Sequence, residues 1–253
     1  CVEYAMASDK QQRLMVVDIG GGTCDVCIME FGGAQGMGAR LAESQILSVA
    51  GVPVAGDAID HEITANKLFP VFGSRARYGP NQLPMPQYLY NQILDWQNIY
   101  KLNNEETINW LIAAEASSDQ PETLAALRCL IQRNYGYPVA REVEAAKRRL
   151  STQFETKIEL QKDAIQICEN LEREEFAHII EHNLDLMQRS IVEAESRAGI
   201  KPGDIDLILT TGGTSLIPAI HQMLVDRYDE ERIIPRDTFT SVASGLAIVS
   251  QYL

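Results

Sequence analysis

The sequence has 253 residues, of which 45% are hydrophobic, so the chain can bury a substantial core as one large domain or two smaller ones. Its formal net charge of −13 argues against a general binder of nucleic acid or of anionic membranes, because both need a basic surface. An anionic ligand would have to be held by backbone N–H groups, a metal ion or a few local cations.

Cysteine usage and hydropathy favour a cytoplasmic protein. The sequence has five scattered cysteines, no apolar run of the roughly 20 residues that span a bilayer, and no signal peptide. Because the first residue is Cys1, we expect the chain to be part of a longer protein. Cys24 and Cys27 form a Cys-x-x-Cys pair in a strand-like run, where residues three apart face opposite sides. We therefore expect neither a redox pair nor a zinc site there.

Three strands joined by short glycine-rich turns are predicted at the start of the chain. RLMVV ends at Asp18 and is typical of a buried strand, DVCIMEF (residues 25–31) predicts a second strand, and ARLAESQILSVAG (residues 39–51) a third. Because the turns are short, we expect an antiparallel meander with three consecutive glycines in its first hairpin.

Helices dominate the middle of the sequence. GDAIDHEITANKLFP predicts a helix that starts near Gly56, and residues 70–100, rich in Pro, Tyr, Gln and Asn, predict irregular packing with short helices. Residues 104–134 have a helical pattern, and a further helix follows Pro138. FETKIELQKDAIQIC (residues 154–168) predicts a strand or a hairpin.

An apolar stripe at helical spacing marks the clearest helix, or two helices separated by a break, which we expect to end near Gly199. The stripe consists of Phe176, Ile180, Leu184, Met187, Ile191, Ala194 and Ala198. An apolar strand (DIDLILTT), a Gly-Gly turn and a helix opened by Pro218 follow. A last helix is predicted over roughly residues 241–251.

Two strand–glycine-turn units are the most informative features of the sequence: Gly20-Gly21-Gly22-Thr23 and Gly212-Gly213-Thr214. Glycine costs about 0.5–1 kcal/mol relative to alanine in regular structure, so something must need bare backbone there. A phosphate can approach the N–H groups of such turns closely. A hydrated Mg²⁺ between Asp18 and Asp25 would offset the repulsion between carboxylates and phosphate. A tight hairpin explains either turn alone, whereas both together favour phosphate binding.

Several segments resemble the actin-like ATPase superfamily, and among its members the seventy-kilodalton heat-shock chaperones of the DnaK type. VVDIGGGTCDV resembles the second phosphate motif of the superfamily, and VAGDAIDHEI the chaperones' Gly-Gly-Glu-Asp-Phe-Asp segment. EAAKRRLS resembles their Glu-x-Ala-Lys-Arg-x-Leu-Ser helix, DIDLILTTGGTSLIPAI their adenosine loop, and SVASGLA their closing helix. The motifs occur in the family's order over nearly the whole chain.

The resemblance implies an α/β fold, namely an actin-like ATPase (ribonuclease H-like) lobe with a mixed sheet flanked by helices, plus a mostly helical inserted subdomain. Residues 1–53 and 184–253 would form the inner subdomain of the second lobe, and residues 54–183 the outer one. The stretch between the second and third motifs is longer than in the chaperones. We therefore expect an insertion near residues 75–135, in a chain that resembles a divergent, YegD-like branch.

A site for ATP or ADP with Mg²⁺, and for a monovalent cation such as K⁺, is also implied by the resemblance. Asp18, Thr23 and Asp25 would act in catalysis, and Asp18 and Asp25 would orient the metal ion. Arg148 would lie against the adenine face. The implied nucleotide-binding set comprises Gly20, Gly21, Gly22, Thr23, Gly56, Glu144, Lys147, Arg148, Ser151, Gly212, Gly213 and Thr214.

The sequence departs from the chaperone pattern at five positions. Leu216 stands where the chaperones have an arginine beside adenine, and Phe239 replaces a carboxylate near the base. Ala55, Asp57 and Ala58 differ from the Gly-Gly-Glu-Asp pattern. The first two departures put the adenine contacts in question.

The function implied by the resemblance is the ATP-binding lobe of a DnaK-like chaperone in which hydrolysis drives interlobe movement. Its partners would be nucleotide, the first lobe, clients and co-chaperones, without nucleic acid or membrane. Hydrolysis needs both lobes around the phosphates, so we expect negligible turnover by this chain alone. A bacterial actin-like filament protein, a small-molecule kinase and a non-catalytic interaction module stay open as alternatives.

Two further groups of residues have competing interpretations. His178 and His182 are four residues apart, as metal ligands can be, but their acidic surroundings favour an exposed helix face. The aromatic residues of the expected insertion predict either core packing or a surface for a partner. They are Tyr78, Tyr88, Tyr90, Trp96, Tyr100 and Trp110.

Overall fold

The computed structural model describes residues 11–33, 39, 42–235 and 250. Its strands are β1 (Gln12–Ile19), β2 (Cys24–Phe31), β3 (Gln45–Val52), β4 (Arg77–Tyr78), β5 (Leu83–Pro84), β6 (Glu155–Lys162), β7 (Ile165–Glu172), β8 (Leu207–Thr211) and β9 (Ile233–Pro235). Its α-helices are α1 (Gly56–Ile63), α2 (Gln87–Leu94), α3 (Glu105–Ala116), α4 (Pro121–Gln132), α5 (Gly136–Leu150), α6 (Arg173–Ile179), α7 (Glu181–Ala198) and α8 (Pro218–Val225).

The chain forms two units, one of residues 1–59 with 181–253 and one of residues 60–180. The division falls within α1 and between α6 and α7. The first unit contains a five-stranded sheet in the order β3-β2-β1-β8-β9. Strands β1 to β3 are antiparallel, whereas β8 is parallel to β1 and to β9. This mixed sheet flanked by helices confirms the predicted α/β fold class.

The predicted meander is present, but its third strand is shorter than expected. The sequence pattern predicts a strand from residue 39, whereas β3 begins at Gln45, and Ala39 and Ala42 are helical. The stretch before β3 is rich in alanine, leucine and glutamate, which favour a helix over a strand.

Helix α7 packs on β2 and β3 through the predicted apolar stripe. Met187, Ile191 and Ala194 are buried on this face, and the hydroxyl of Ser48 on β3 donates to the carbonyl of Ala194 at 2.7 Å. The stripe does not belong to one helix, because α6 ends before Ile180 and α7 begins after it. Gly199 ends α7 with a φ of +67°, as expected for a glycine at a helix C-terminus.

The second unit is mostly helical. The helical pattern of residues 104–134 corresponds to α3 and α4, which are separated by a short turn, with Pro121 opening α4. Asn104 caps α3 by accepting a hydrogen bond from the backbone N–H of Thr107 at 2.9 Å. Strands β6 and β7 form the predicted hairpin, and α5 packs against β6.

Some predictions lie outside the described residues. These are the last helix over roughly residues 241–251, except for Ser250, and the positions Cys1 and Phe239. None of the helices in the described part of the chain has the length and hydropathy that a bilayer-spanning segment requires.

Candidate functional site

The first glycine turn connects β1 to β2, and hydrogen bonds to its carbonyl groups fix its position. The carbonyl of Gly20 accepts from the N–H of Gly56 at 3.2 Å and from the hydroxyl of Thr214 at 2.7 Å. The carbonyl of Gly21 accepts from the N–H of Asp57 at 2.7 Å. The start of α1 and the second glycine turn therefore fix the position of the first turn.

Three glycines of the two turns are not required by the part of the protein that the structure describes. A Cβ added at Gly20, Gly22 or Gly213 would meet no described atom within 4 Å. None of the three has the positive φ that disfavours other residues. Packing and backbone conformation thus leave their lack of a side chain unexplained, whereas close approach of a ligand would explain it.

Gly212 differs from these three glycines, because the fold itself requires a glycine at this position. Its φ is +85°, and an added Cβ would lie 2.1 Å from the carbonyl oxygen of Ile19. Thr214 follows in a short 3₁₀ turn, and its buried hydroxyl donates to the first turn. The two turns that lie far apart in sequence are therefore neighbours in the first unit.

Asp18 and Asp25 lie directly opposite each other at the turn end of the β1–β2 pair. Burial, and then the negative charge of Asp25, raise the pKa of Asp18 above its ordinary value. The hydroxyl of Thr23 donates to Asp25 Oδ2 at 2.7 Å. The structure thus brings together all three residues that the resemblance implies for catalysis, and a bound cation would relieve the repulsion between the two carboxylates.

Two more residues at this place were not predicted as site residues. Gly51 pairs with Asp25 across β2 and β3, and a Cβ there would lie 2.7 Å from Asp25 Oδ1, so glycine leaves room for the carboxylate. Asp57 adds a third carboxylate, whose Oδ1 would lie 3.4 Å from a Cβ on Gly21. A glycine within a predicted strand was the available signal for Gly51.

Cys24, next to the turn, is not arranged for thiol chemistry. Its side chain is fully buried, and burial together with the neighbouring carboxylates raises its pKa to about 12. Burial also raises the pKa of Cys27, which is partly exposed. Both thiols stay protonated at neutral pH, which agrees with the expectation that the Cys-x-x-Cys pair is not a redox site.

The implied base-binding residues lie on α5 in the second unit. Glu144 and Arg148 are exposed and four residues apart, so they share a face of the helix, and Ser151 follows at its C-terminus. Lys147 is buried and its Nζ lies 2.7 Å from Asp60 Oδ2 on α1. The amine of Lys147 is thus engaged in an ion pair inside the second unit.

The remaining residues that the sequence analysis singled out are mostly exposed in the structure. His178 and His182 are exposed and lie on two separate helices, α6 and α7. Leu216, which replaces the chaperone arginine, is 55% exposed. Among the described residues, no group of three or more His, Cys, Asp or Glu side chains is arranged to hold a metal ion.

Comparison with known proteins points to one family. Residues 133–253, which include α5 and the second glycine turn, match the family model described as Hsp70 protein. Over 250 residues, the chain is 25% identical to the Chaperone protein DnaK of Mycoplasma mobile, with 95% of this chain and 32% of that protein covered. These similarities support an Hsp70-type nucleotide-binding domain of the actin-like ATPase superfamily.

Two other relatives match shorter stretches of the chain. The Chaperone protein DnaK of Mycoplasma mycoides subsp. mycoides SC is 30% identical over 154 residues, covering 57% of this chain and 24% of that protein. The Heat shock 70 kDa protein BIP3 of Oryza sativa subsp. japonica is 31% identical over 114 residues, covering 39% and 17%. The chain therefore spans a third or less of the length of these relatives.

Proposed function

We propose that this Hsp70-type chain binds ADP or ATP with Mg²⁺ at its two glycine turns, as the second lobe of a chaperone ATPase. One observation carries the proposal: Gly20, Gly22 and Gly213 are glycines although neither the backbone conformation nor the packing of the described residues forbids a side chain there. Backbone N–H groups without neighbouring side chains are what a phosphate needs for close approach.

The chain's own residues would have distinct roles in this site. The backbone of Gly21, Gly22 and Thr23 would bind phosphate oxygens, while Thr214 and Gly56 hold the turn in place through the carbonyl of Gly20. The oxygens of Asp18 and Asp25 are ligands that Mg²⁺ prefers, either directly or through its water shell. When bound, Mg²⁺ would offset the charge of the phosphates.

The roles of the carboxylates follow from their environment. Burial, and then the charge of Asp25, raise the pKa of Asp18, so its charged form would gain from a bound cation. Thr23, which donates to Asp25 Oδ2, would keep that carboxylate oriented. We propose the same pair as the orienting groups for an attacking water in the whole protein, and K⁺ as a further cation at the phosphates.

Within the second unit, we propose that α5 carries the residues that contact the base of the nucleotide. Exposed Glu144 and Arg148 would contact ribose and adenine, with Ser151 completing the set. Lys147 would act through its bond to Asp60, as a residue that fixes α5 to α1, rather than as a free cation for the ligand. Gly212 and Gly213 would line the nucleoside side of the pocket.

The wider role follows from the relatives, which carry the names chaperone and heat shock protein. We infer that hydrolysis in the whole protein drives movement between two lobes, and that clients or co-chaperones are its partners in the cytoplasm. We also propose that the subdomain limits lie at residues 53 and 184. The same proposal includes an insertion near residues 75–135 and a place in a divergent, YegD-like branch.

Thermal unfolding with three ligands tests the proposal. We expect Mg–ADP to raise the free energy of unfolding by about 2.7 kcal/mol at a hundred times its Kd, because it binds only the folded state. ADP with excess EDTA, and adenosine with Mg²⁺, should raise it much less, since the first lacks the cation and the second the phosphates. Equal stabilisation by adenosine, or none by Mg–ADP, would contradict a phosphate site at the turns.

A further inference from the structure

An exposed aromatic cluster lies where the 3₁₀ helix of residues Trp96–Leu102 packs against the start of α5. The close approach depends on Gly136, because an added Cβ would lie 3.1 Å from Ile99 Cγ2 and 3.1 Å from the carbonyl oxygen of Trp96. The ring centroids of Trp96 and Tyr137 are 5.1 Å apart, with the planes tilted by 49°. The two elements therefore present their aromatic side chains on one surface.

Cations accompany the rings of this surface. The guanidinium of Arg141 lies 5.9 Å from the ring centroid of Tyr137, and the amine of Lys101 lies 6.0 Å from that of Tyr100. Beside them, Lys162 lies 5.4 Å from the ring of Tyr135. We call the six residues Trp96, Tyr100, Lys101, Tyr135, Tyr137 and Arg141 the aromatic–cation surface.

The rings of Trp96, Tyr100 and Tyr137 in the aromatic–cation surface are exposed and that of Tyr135 is half-buried; elsewhere in the second unit Tyr88 and Phe154 are also exposed. Tyr100 is 57% and Tyr137 51% exposed, whereas Tyr90 is 1% exposed and packs against Phe69. Trp110 is half-buried in an edge-to-face pair with Tyr78 at 5.3 Å. Exposed Tyr and Trp with neighbouring Arg are the residue types that protein interfaces concentrate.

The charge of the aromatic–cation surface is opposite to that of the whole chain, which has a net charge of −13. Lys101, Arg141, Lys162 and the neighbouring Arg133 are all exposed. Of the adjacent acidic groups, Asp163 is already engaged with Arg133 at 3.9 Å and with the hydroxyl of Tyr135 at 2.8 Å. Glu142 on α5 is paired with Arg149 at 2.8 Å, Asp95 bonds to Asn98, and Glu105 and Glu106 lie in the first turn of α3.

We propose that the aromatic–cation surface binds an acidic, partly apolar segment of another polypeptide. Carboxylates of the segment would accept hydrogen bonds from Arg141, Lys101 and the Tyr137 hydroxyl, while its apolar side chains would cover the rings. An acidic segment fits because its charge complements this surface, and because the acidic remainder of the chain would repel a longer polyanion such as nucleic acid.

Fluorescence anisotropy with a labelled peptide of alternating Glu and Leu tests the proposal on the whole chain. We expect saturable binding that weakens with salt, and that weakens about tenfold or more in Arg141→Glu and in Tyr137→Ala. Arg189→Glu is the matched control, because it makes the same change of charge at an exposed arginine on α7. Circular dichroism would verify that each variant is folded.

Several outcomes would overturn the proposal. No binding of the Glu–Leu peptide would refute it, and so would equal weakening in Arg189→Glu, which would reduce the effect to net charge. Equal binding of a Lys–Leu peptide would show that charge complementarity is absent. Tighter binding of an oligothymidine than of the peptide, lost in the same two variants, would make the surface a nucleic-acid site instead.

Discussion

At the residue scale, glycines of the two turns divide into those that the fold requires and those that it does not. Gly212 has a positive φ, and a Cβ there would collide with the carbonyl of Ile19, whereas a Cβ at Gly20, Gly22 or Gly213 would meet no described atom within 4 Å. Sequence alone treats them alike. Because of this structural difference, the same substitution at different glycines of the two turns should have different effects on stability.

The first prediction compares alanine at two of these glycines. Gly22→Ala should leave the free energy of unfolding unchanged or raise it by up to about 1 kcal/mol, because the unfolded chain loses freedom and the fold has room. Gly212→Ala should lower it by at least about 2 kcal/mol through strain and collision with Ile19. Urea unfolding measures both values, and equal effects of the two substitutions would refute the division.

A second prediction concerns the pH dependence that Asp18 confers. Its pKa is raised in the folded state, so the folded chain binds more protons than the unfolded chain between the ordinary pKa of 3.8 and the raised one. The free energy of unfolding should therefore fall as the pH rises through this window. Asp18→Asn should remove this contribution and stabilise the metal-free chain by about 0.5 kcal/mol at neutral pH.

Denaturant titrations across the acidic range, with and without Mg²⁺, measure this effect. The control is Asp229→Asn, which removes the same charge from an ion pair with Arg232 on the surface of the first unit. If Asp18→Asn and Asp229→Asn change the pH profile equally, the effect is one of net charge and not of the Asp18–Asp25 pair.

At the scale of elements, α5 contains both a buried residue that stabilises the fold and residues that are exposed to solvent. Lys147 is buried in its ion pair with Asp60, while Arg148, the next residue, is exposed. Adjacent residues of a helix point in directions about 100° apart, so one side chain of the motif can be buried while the next is exposed.

The third prediction uses this contrast. Lys147→Met should lower the free energy of unfolding by about 2 kcal/mol, because the partly buried carboxylate of Asp60 loses its charged partner. Arg148→Met should change it by less than about 0.5 kcal/mol, yet weaken Mg–ADP binding if Arg148 contacts the base. Unfolding and binding measurements on both variants check this. A stable Lys147→Met chain, or a strongly destabilised Arg148→Met chain, would contradict the assignment.

Local patterns predicted many elements, but they fixed neither every element boundary nor the contacts between residues that are distant in sequence. The meander and the end of α7 at Gly199 follow from turn residues and hydrophobic period, which act over a few positions. The break at Ile180 and the late start of β3 depend on local competition that the period does not resolve. The bond from Thr214 to Gly20 joins residues 194 positions apart, so no local pattern could predict it.

At the scale of the whole molecule, the resemblance identified residues of the proposed phosphate site but not the residues that support them. Asp18, Thr23 and Asp25 were named from the motif and are adjacent in the structure. Gly51 and Asp57 were missed, because their place at the site depends on strand register and on the start of α1. The burial of Lys147 was also unpredictable, since its partner lies 87 positions away.

A fourth prediction separates the chaperone type from the filament type within the superfamily. With Mg–ATP, the chain should stay in the supernatant after high-speed sedimentation, because a net charge of −13 opposes self-association. The same experiment at high salt, where charge is screened, serves as the control. Pelleting that requires ATP and is lost in Asp18→Asn would favour a filament protein.

Calorimetric titration of Mg–ADP into the chain and into its Gly213→Val variant tests the central claim most directly. An added Cβ at Gly213 meets no described atom within 4 Å, so we expect the variant to fold normally. We predict saturable binding by the unchanged chain and a loss of about tenfold or more in affinity in the variant, which corresponds to at least 1.4 kcal/mol. Equal binding by both, or binding by neither, would contradict a nucleotide site at the glycine turns.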